Sequence, residues 1–444
     1  MIRKVIHNKW GEGTVISTRY NGLQMLVLFD KGFKLWVKTK DVRYLEGHES
    51  VIPERKRVND ELNYSYSKKI SKSIIESLRY GVVPTEHIHL FTVGRDNEFV
   101  KMVQWIQSGE GAFLITGQYG SGKTHLLRKF YNWCLENGYA VSFVELDMYE
   151  APLYRPKKLY TKIIENFTYK KGNDRKNFRD LIIDICSNDD VTCKLESNPY
   201  FSEAIWRIKI RNTSSSYNDI EILNWIEGKT NPCYFRPCLY DSGTAANIYC
   251  NILSAASIAT RMIGLHGLVI IFDEMENIIT SATSNNQREY ITNLLRGLIM
   301  LANNDRRLLT ESINSCIGSQ TGLIYNRRAS NIRYAFQHPS YVRLVISIPD
   351  SQDIIPIISD SQFDEMFLPP FEKEHKSELI KRIIQLYSSA YSMNFDERLL
   401  RKIFDKIQTM GNVRLFIKGV IEILDFIRYY PNKSLEEIGD VNEY

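Results

Sequence analysis

The residues best suited to chemistry lie at positions 117–124, with the sequence Gly-Gln-Tyr-Gly-Ser-Gly-Lys-Thr. They fit the pattern G-x-x-x-x-G-K-[ST], in which glycines let successive backbone N–H groups face phosphate oxygens. A lysine at this place reaches the β- and γ-phosphates of a nucleotide, and the next hydroxyl binds magnesium. The predicted nucleotide-binding residues are Gly117, Gly120, Ser121, Gly122, Lys123 and Thr124.

The segments on either side of this loop match the geometry that a bound triphosphate requires. Residues 112–116 form an apolar run typical of a buried strand, and residues 125–135 carry apolar side chains at helical spacing. The N-terminus of the helix adds partial positive charge where the phosphates would lie. Chance occurrence of the octapeptide is the alternative, and the flanking strand and helix argue against it.

A second candidate site residue pair closes the apolar run at residues 267–274, Gly-Leu-Val-Ile-Ile-Phe-Asp-Glu. Such a run predicts a buried parallel strand whose C-terminal end carries two carboxylates, and ligands of α/β sheets bind at that end. Asp273 would hold Mg²⁺, together with Thr124. Glu274 would polarise the water that attacks the γ-phosphate, with Lys123 stabilising charge. The other interpretation is a strand with a polar exit turn.

Length and composition place broad limits on the protein. A chain of 444 residues, 43% hydrophobic and with a net charge of +5, is long enough for two or three domains and only mildly basic. No apolar run approaches the roughly 18 residues of a membrane span, and the early polar residues do not fit a signal peptide. The seven cysteines contain no C-x-x-C pair. We therefore expect a cytoplasmic protein without a zinc site.

Two arginine- and lysine-rich segments could contact nucleic acid. The first interleaves aromatic residues with cations, which is a combination that can follow a phosphate backbone and stack bases; a basic solvated helix face explains it as well. Its cations are Arg155, Lys157, Lys158, Lys162, Lys170, Lys171, Arg175, Lys176 and Arg179, and its aromatic residues are Tyr154, Tyr160, Phe167, Tyr169 and Phe178. The arginines of the second are Arg306, Arg307, Arg327, Arg328, Arg333 and Arg343.

Residues 70–430 as a whole resemble the ATP-binding proteins of BREX phage-defence islands, which are BrxD-like, origin-recognition-like AAA+ ATPases. The motifs that carry the resemblance lie at residues 74–84, 93–95, 117–124, 225–228 and 264–276. The resemblance implies an α/β fold, with a P-loop AAA+ core on a central parallel sheet at 69–366 and a C-terminal helical lid at 367–444. Insertions are expected at about 151–235 and 305–340.

The same resemblance implies further nucleotide contacts. In such ATPases a Gly-Arg pair like Gly94 and Arg95 lies beside the adenine, although an ordinary helix-entry turn is the alternative. Ser347 falls at the "sensor 1" position and Arg414, in a Gly-Asn-x-Arg step, at the "sensor 2" position; a strand-end serine with no nucleotide contact is equally consistent. One of the six arginines of the second segment would act as a finger in a neighbour's site, or that segment would face DNA.

The N-terminal residues form a separate predicted unit. Short alternating strands within residues 1–45 predict a small SH3-like β-barrel, followed by a polar linker at 46–68. The stretch 7–15 resembles the Tudor-like modules appended to UvrD/PcrA-type helicases, which implies docking of a protein or nucleic acid. A purely structural extension is the other possibility.

These inferences predict an enzyme, a Mg²⁺-dependent ATPase with ATP and Mg²⁺ as cofactors. The expected role is to assemble on DNA as a homo-oligomer and to load or regulate a helicase-type partner through the N-terminal barrel, in anti-phage defence. The main alternative is a STAND-like signalling switch that oligomerises on a protein trigger without contacting DNA. A degenerate ATPase that serves as a scaffold is a third interpretation, which the intact Lys123, Thr124, Asp273 and Glu274 oppose.

Overall fold

The computed structural model describes the chain in two compact units, residues 1–66 and 67–444. The described residues are 3–7, 11–19, 24–29, 34–38, 42–44, 67–109, 111–211, 219–275, 284–311, 313–314, 317–325, 339–350, 363–407, 410, 412–433 and 435. The predicted linker at 46–68 therefore lies outside them except for its last two residues. Arg327, Arg328 and Arg333 also lie outside the described residues.

The first unit contains one antiparallel sheet. Its strands are β1 (Arg3–His7), β2 (Gly11–Arg19), β3 (Gln24–Phe29), β4 (Lys34–Lys38) and β5 (Val42–Tyr44), in the order β4-β3-β2-β1-β5. Val5, Met25 and Val27 are buried, because alternating residues of paired strands share one face. The short strands predicted here are present. Closure of the sheet into a Tudor-like barrel stays a prediction.

The second unit is a mixed α/β structure. Its first half contains α1 (Lys68–Arg79), α2 (Asp96–Ser108), β6 (Ala112–Gly117), α3 (Lys123–Glu136), β7 (Ala140–Glu145), α4 (Pro156–Glu165), β8 (Phe167–Lys171), β9 (Asp174–Asn177), α5 (Phe178–Cys186), α6 (Asp189–Leu195), α7 (Pro199–Arg211) and α8 (Asp219–Ile226). Its second half contains α9 (Ala246–Met262), β10 (Leu268–Asp273), α10 (Asn285–Ala302), β11 (Ile313–Asn314), β12 (Ile317–Gly318), β13 (Val342–Pro349), β14 (Asp364–Phe367), α11 (Lys373–Tyr391), α12 (Glu397–Ile407) and α13 (Val413–Tyr429).

A seven-stranded sheet forms the centre of this unit, in the order β14-β6-β13-β10-β7-β8-β9. The five strands from β14 to β7 are mutually parallel, whereas β8 and β9 add an antiparallel hairpin at one edge. The chain leaves β6 for β7, three strands away, and later returns to β6's neighbour β13. Ligands of open α/β sheets bind beside such switches, at the carboxyl ends of the strands.

The central strands are buried on both faces, which explains why they appear in the sequence as unbroken apolar runs. In β10, Val269 and Ile271 pack into the core on one side of the sheet, beneath α3. Ile270 and Phe272 pack into the larger core on the other side, with α9 and α10. The mostly parallel α/β fold expected from the sequence is thus confirmed for this unit.

The C-terminal helices α11, α12 and α13 pack on one another, and α1 joins them, although α1 comes before the sheet in the chain. Arg79 of α1 donates to both carboxylate oxygens of Asp425 at 2.9 and 2.8 Å. Tyr387 donates to Asp425 at 2.6 Å, and Tyr391 donates to Glu76 of α1 at 2.7 Å. We call α1, α11, α12 and α13 the lid group. Within the described ranges, no helix is both long and apolar enough to cross a bilayer.

Candidate nucleotide-binding cleft

The predicted phosphate-binding loop joins the end of β6 to the start of α3. Gly120 and Gly122 have φ angles of +76° and +93°, a left-handed conformation that glycine adopts without strain. Lys123 is the first residue of α3, and its Nζ donates to the carbonyl oxygens of Gly117 and Gln118 at 2.8 and 3.1 Å. The lysine is therefore held along the inner side of the loop, where phosphates would lie.

The acidic pair lies at the carboxyl end of β10, as predicted. Asp273 is 1% exposed, and one of its carboxylate oxygens, Oδ1, accepts a hydrogen bond from Ser347 of the neighbouring strand β13. Its other oxygen, Oδ2, is buried and has no hydrogen-bond partner in the described part of the chain. Glu274 has a φ of +59°, a left-handed conformation that is uncommon outside glycine, so the backbone turns at the strand end.

A buried carboxylate oxygen without a partner is costly, and a bound cation would remove that cost. Carboxylate and hydroxyl oxygens are the ligands that Mg²⁺ prefers, and both Asp273 and Thr124 line the same cleft. The residues present therefore fit the magnesium ion that the sequence predicts. Ser347 supports the carboxylate and is not itself among the residues that line the cleft.

One cleft is lined by the loop, the acidic pair and the first turn of α13. Its space, open solvent included, is about 1080 Å³. The polar part is lined by residues 119–125, Asp273, Glu274, Asn412 and Arg414. The apolar part is lined by Leu78, Val82, Val83, Phe91, Val93, Phe371, Leu379, Val413 and Ile417. A polar half beside an apolar half suits a ligand that combines phosphates with a flat ring.

Arg95 is buried and joins the loop to the connection that leads into the lid group. Its Nη2 donates to the carbonyl oxygens of Ser121 and Pro369, both at 2.9 Å. Burial lowers the pKa of the guanidinium, while Glu98, at 3.3 Å, partly offsets this effect. Gly94 must lack a side chain, because a Cβ there would lie 2.4 Å from the ring of His375. Arg95 thus lines the cleft and also braces the loop.

The start of α13 rests directly on the phosphate-binding loop. The N–H of Val413 donates to the carbonyl of Gly120 at 3.2 Å. Arg414, the predicted sensor 2 residue, is exposed and lines the cleft, and it has no acidic partner among the residues that the structure describes. Gly411, the first residue of that predicted step, lies outside the described residues.

His125 also lines the cleft, and sequence reasoning gave it no role. Its Nε2 lies 2.7 Å from the hydroxyl of Thr92, which already donates to the carbonyl of Ile88. The hydroxyl must therefore accept, so Nε2 carries the proton. Burial, followed by the charges of Lys129 and Arg95, lowers the pKa of His125 to about 3. In the sequence, the position of His125 directly after Thr124 is the one feature that could have indicated its place in the cleft.

The first basic segment, residues 155–179, does not present a base-stacking surface. Tyr160, Phe167, Tyr169 and Phe178 are each at most 1% exposed and belong to the larger core. Phe167 and Tyr169 are on β8, whose inward face packs on the helices of this region. The expectation that these rings could stack on bases is wrong, because they are already used as core residues. Of the five aromatic residues, Tyr154 alone is only partly buried.

Most cations of this basic segment are neutralised within the fold. Six of the nine have a carboxylate partner: Arg155 with Asp241, Lys162 with Glu150, Lys170 with Glu136, Lys171 with Asp184, Lys176 with Asp180, and Arg179 with Glu227. The best placed pair is Arg179 with Glu227, whose oxygens accept at 2.6 and 2.7 Å. Lys157, Lys158 and Arg175 form no ion pair within the described ranges.

The described arginines of the second segment lie away from the chain's own cleft. Arg343 is 7% exposed and belongs to β13, near the end where that strand begins. Arg306 and Arg307 follow α10, whose last residue, Ala302, bonds Gly111 just before β6 begins. They therefore lie at the end of the sheet where its parallel strands begin, opposite the carboxyl ends that line the cleft. Both arginines are exposed, and Arg307 pairs with Asp305.

Comparison with known proteins identifies one matching family. A family described as "BREX system ATP-binding protein BrxC/D" matches residues 66–187 and 244–442. The intervening residues, which include α6, α7 and α8, are not matched. Among curated proteins, no match is found.

Solved structures give distant likenesses. A Walker-type ATPase of Pyrococcus abyssi is 12% identical over 75% of this chain and 68% of its own, with a TM-score of 0.36. Domain III of the Thermotoga maritima replication initiation protein DnaA is 9% identical over 79% and 92%, with a TM-score of 0.34. Drosophila ORC bound to DNA is 11% identical over 82% and 64%, with a TM-score of 0.32. Such low scores support no conclusion about activity.

Proposed function

Because this chain belongs to the family of BREX system ATP-binding proteins BrxC/D, we propose that it is a Mg²⁺-dependent AAA+ ATPase of phage defence. The observation that carries the proposal is the composition of the cleft. It brings together a lysine at the end of a glycine-rich loop, a buried carboxylate with an oxygen that has no partner among the described residues, and a second carboxylate beside it.

Each of these groups has a part in ATP hydrolysis. The loop N–H groups and Lys123 would bind the β- and γ-phosphates, and Thr124 and Asp273 would hold Mg²⁺. When bound, the ion neutralises phosphate charge. Glu274 would orient the attacking water and accept its proton, while Arg414 would contact the phosphates from the lid group. In phosphoryl transfer, positioning and charge stabilisation of this kind supply most of the catalysis.

One variant, measured in two ways, tests the ATPase activity. Glu274→Gln should lower ATP turnover by at least about 100-fold, because the amide accepts no proton from the attacking water. It should leave ATP affinity within about threefold, since the amide keeps the size of the carboxylate. Turnover and equilibrium ATP binding, measured on the same preparation, decide this. Turnover that survives in Glu274→Gln would come from another residue or a contaminant.

Beyond hydrolysis, we propose assembly on DNA and loading or regulation of a helicase-type partner, with the N-terminal unit as the contact. The support is the family resemblance and the mildly basic chain. The alternative is a STAND-like switch that assembles without DNA. One observation favours that alternative: the first basic segment pairs six of its nine cations internally and buries four of its five aromatic rings.

ATP turnover with and without single- and double-stranded DNA, at two salt concentrations, separates these roles. DNA stimulation that weakens with salt supports assembly on DNA, since phosphate contacts release counterions. A turnover rate that responds to Glu274→Gln but not to DNA supports the switch. Sedimentation with and without ATP then shows whether assembly needs nucleotide.

A homo-oligomer would place Arg306 in a neighbour's cleft. Its support is that Arg306 is exposed at the end of the sheet opposite its own cleft, where it is free to reach a second copy. Arg306→Ala should then lower turnover while ATP affinity stays the same. Arg307→Ala, which removes a cation already paired with Asp305, is the matched control.

A further inference from the structure

The first turn of α13 is fixed by a single side chain that also contacts the phosphate-binding loop. Asn412 is the N-cap of α13, and its Oδ1 accepts from the N–H groups of Arg414 and Leu415 at 2.8 and 3.4 Å. An N-cap of this kind satisfies backbone donors that the helix leaves open. It also fixes the direction in which the first helical side chains leave the backbone.

The same side chain lies against Gly120. A Cβ at Gly120 would be 2.5 Å from Cγ and Oδ1 of Asn412 and 2.6 Å from its Nδ2. The carboxamide therefore covers the α-carbon of the loop glycine, and the Val413 N–H to Gly120 carbonyl bond lies beside it. A glycine is needed here for two reasons, its positive φ and this contact.

The side chain of Arg414 also lies close to Gly81, in a different part of the chain. A Cβ at Gly81, just after α1, would lie 3.4 Å from Cγ of Arg414 and 3.5 Å from its Cδ. The aliphatic part of Arg414 thus passes close to the backbone of Gly81, and the residue lines the cleft. Its backbone is set by Asn412, and its stem is confined by the lid group.

We propose that Asn412 is a positioning residue that couples the conformation of the phosphate-binding loop to the placement of Arg414. The proposal rests on the proposed function, since it concerns the phosphates of a bound nucleotide. Asn412 acts through its contact with Gly120 and through the first turn of α13. A loop that closes around phosphates would carry α13 with it and bring Arg414 to the same phosphates.

The simpler alternative is that Asn412 only caps a helix. Three variants separate the two roles. Asn412→Ser keeps a capping oxygen but loses the carboxamide that covers Gly120. Asn412→Asp keeps both the cap and the shape. The control is Asn177→Ser, which makes the same change at the N-cap of α5, where Asn177 accepts from Arg179 and Asp180 far from the cleft.

Hydrogen–deuterium exchange on the full chain without nucleotide gives a readout that needs no ATPase activity. Asn412→Ser should raise exchange of residues 117–124 at least fivefold, while Asn412→Asp and Asn177→Ser should leave it unchanged. Unchanged exchange of the loop in Asn412→Ser, or an equal rise in Asn177→Ser, would overturn the proposal.

Nucleotide binding then tests the link to Arg414. Asn412→Ser should weaken ATP binding about tenfold and AMP binding by less than twofold, because AMP lacks the outer phosphates. Combining it with Arg414→Ala should cause little further loss, since the two residues act as a unit. Fully additive losses would overturn the coupling. A wild-type chain that binds no ATP would instead refute the proposed function, and the exchange result would still stand.

Discussion

The nucleotide cleft and the first basic segment treat their charged groups in opposite ways. In the cleft, Oδ2 of Asp273 and the hydroxyl of Ser121 are buried without a hydrogen-bond partner in the described chain. In the basic segment, most cations meet a carboxylate of the same fold, and the aromatic rings fill the core. In the sequence, the loop of the cleft is marked by its motif and the basic segment by its composition.

The difference fits a ligand site in the cleft and a structural role for the basic segment. A polar group whose partners are supplied by its own chain contributes to the fold and has little left to offer a ligand. A buried polar atom that the fold leaves unpaired carries an energetic cost, which a ligand can remove. Removing a charged group should therefore weaken ligand binding in the cleft and lower stability in the basic segment.

The largest difference between the two regions is expected when one lysine of each is replaced by alanine. Lys123→Ala should weaken ATP binding by at least about 100-fold, roughly 2.7 kcal/mol, because it removes the cation nearest the phosphates. Lys157→Ala, which removes a lysine of the basic segment that has no ion pair within the described ranges, should leave ATP affinity unchanged. Titration of both variants with a fluorescent ATP analogue measures this. Similar affinities for the two would contradict the assignment of the loop.

A smaller effect is expected where the cleft would hold a metal ion. Asp273→Asn should reduce the Mg²⁺-dependent gain in ATP affinity about tenfold, because an amide oxygen is a weaker ligand than a carboxylate. The bond from Ser347 can persist, since the amide oxygen still accepts. Binding is compared with Mg²⁺ and with EDTA for the variant and for the wild-type chain. An Asp273→Asn protein with the full Mg²⁺ effect would exclude this carboxylate as the ligand.

Removing the carboxylate partner of the basic segment should lower stability and leave ligand binding unchanged. Glu227, 5% exposed, accepts from Arg179 and Lys229, so Glu227→Gln should lower the free energy of unfolding by about 1–3 kcal/mol. ATP affinity should stay the same. Urea unfolding and ATP binding of the same variant measure both. A variant that loses ATP binding without losing stability would give this pair a role in the cleft.

The same pair predicts a pH dependence. Burial raises the pKa of Glu227, but hydrogen bonds and charges of Arg179 and Lys229 more than compensate, so the net pKa lies below its usual 4.5. Its contribution to stability should be complete above pH 4.5 and decrease as pH falls through the lowered folded-state pKa. Glu227→Gln should lose this component of acid sensitivity, which unfolding curves at successive pH values would detect.

The smallest effect is expected for an exposed pair of the hairpin. Lys171, whose side chain is 62% exposed, lies 3.0 Å from Asp184. Lys171→Ala should change the free energy of unfolding by at most about 1 kcal/mol, because solvent screens such pairs. Thermal unfolding of this variant beside Glu227→Gln ranks the two pairs. A larger loss from Lys171→Ala would reverse that ranking.

Local patterns in the sequence predicted the parts of the site that depend on neighbouring residues. The loop at 117–124 and the strand that ends at Asp273 need only a few consecutive residues, and the structure has both elements where they were expected. Their chemical roles stay predictions. The confirmed statements are the mostly parallel α/β fold and membership in the BREX ATP-binding family.

Features that depend on distant parts of the chain could not be predicted. The carboxylate that pairs with Arg179 is 48 residues away, and the glycine beneath Asn412 is nearly 300 positions earlier in the chain. Nothing local shows that Tyr160 points into the core, since a basic helix with one aromatic face fits both burial and stacking. Packing of α1 on α11 and α13 likewise brings together Arg79 and Asp425, which are 346 positions apart in the chain.

That packing determines where a mechanical load would enter the molecule. The chain between the two units reaches the second unit at Ser67, directly before α1, and α1 is fastened to α11 and α13 rather than to a strand of the sheet. Tension applied to the N-terminal unit would therefore act first on α1 and, through it, on α11 and α13. Since α13 begins on Gly120, such a pull would reach the phosphate-binding loop without crossing the sheet.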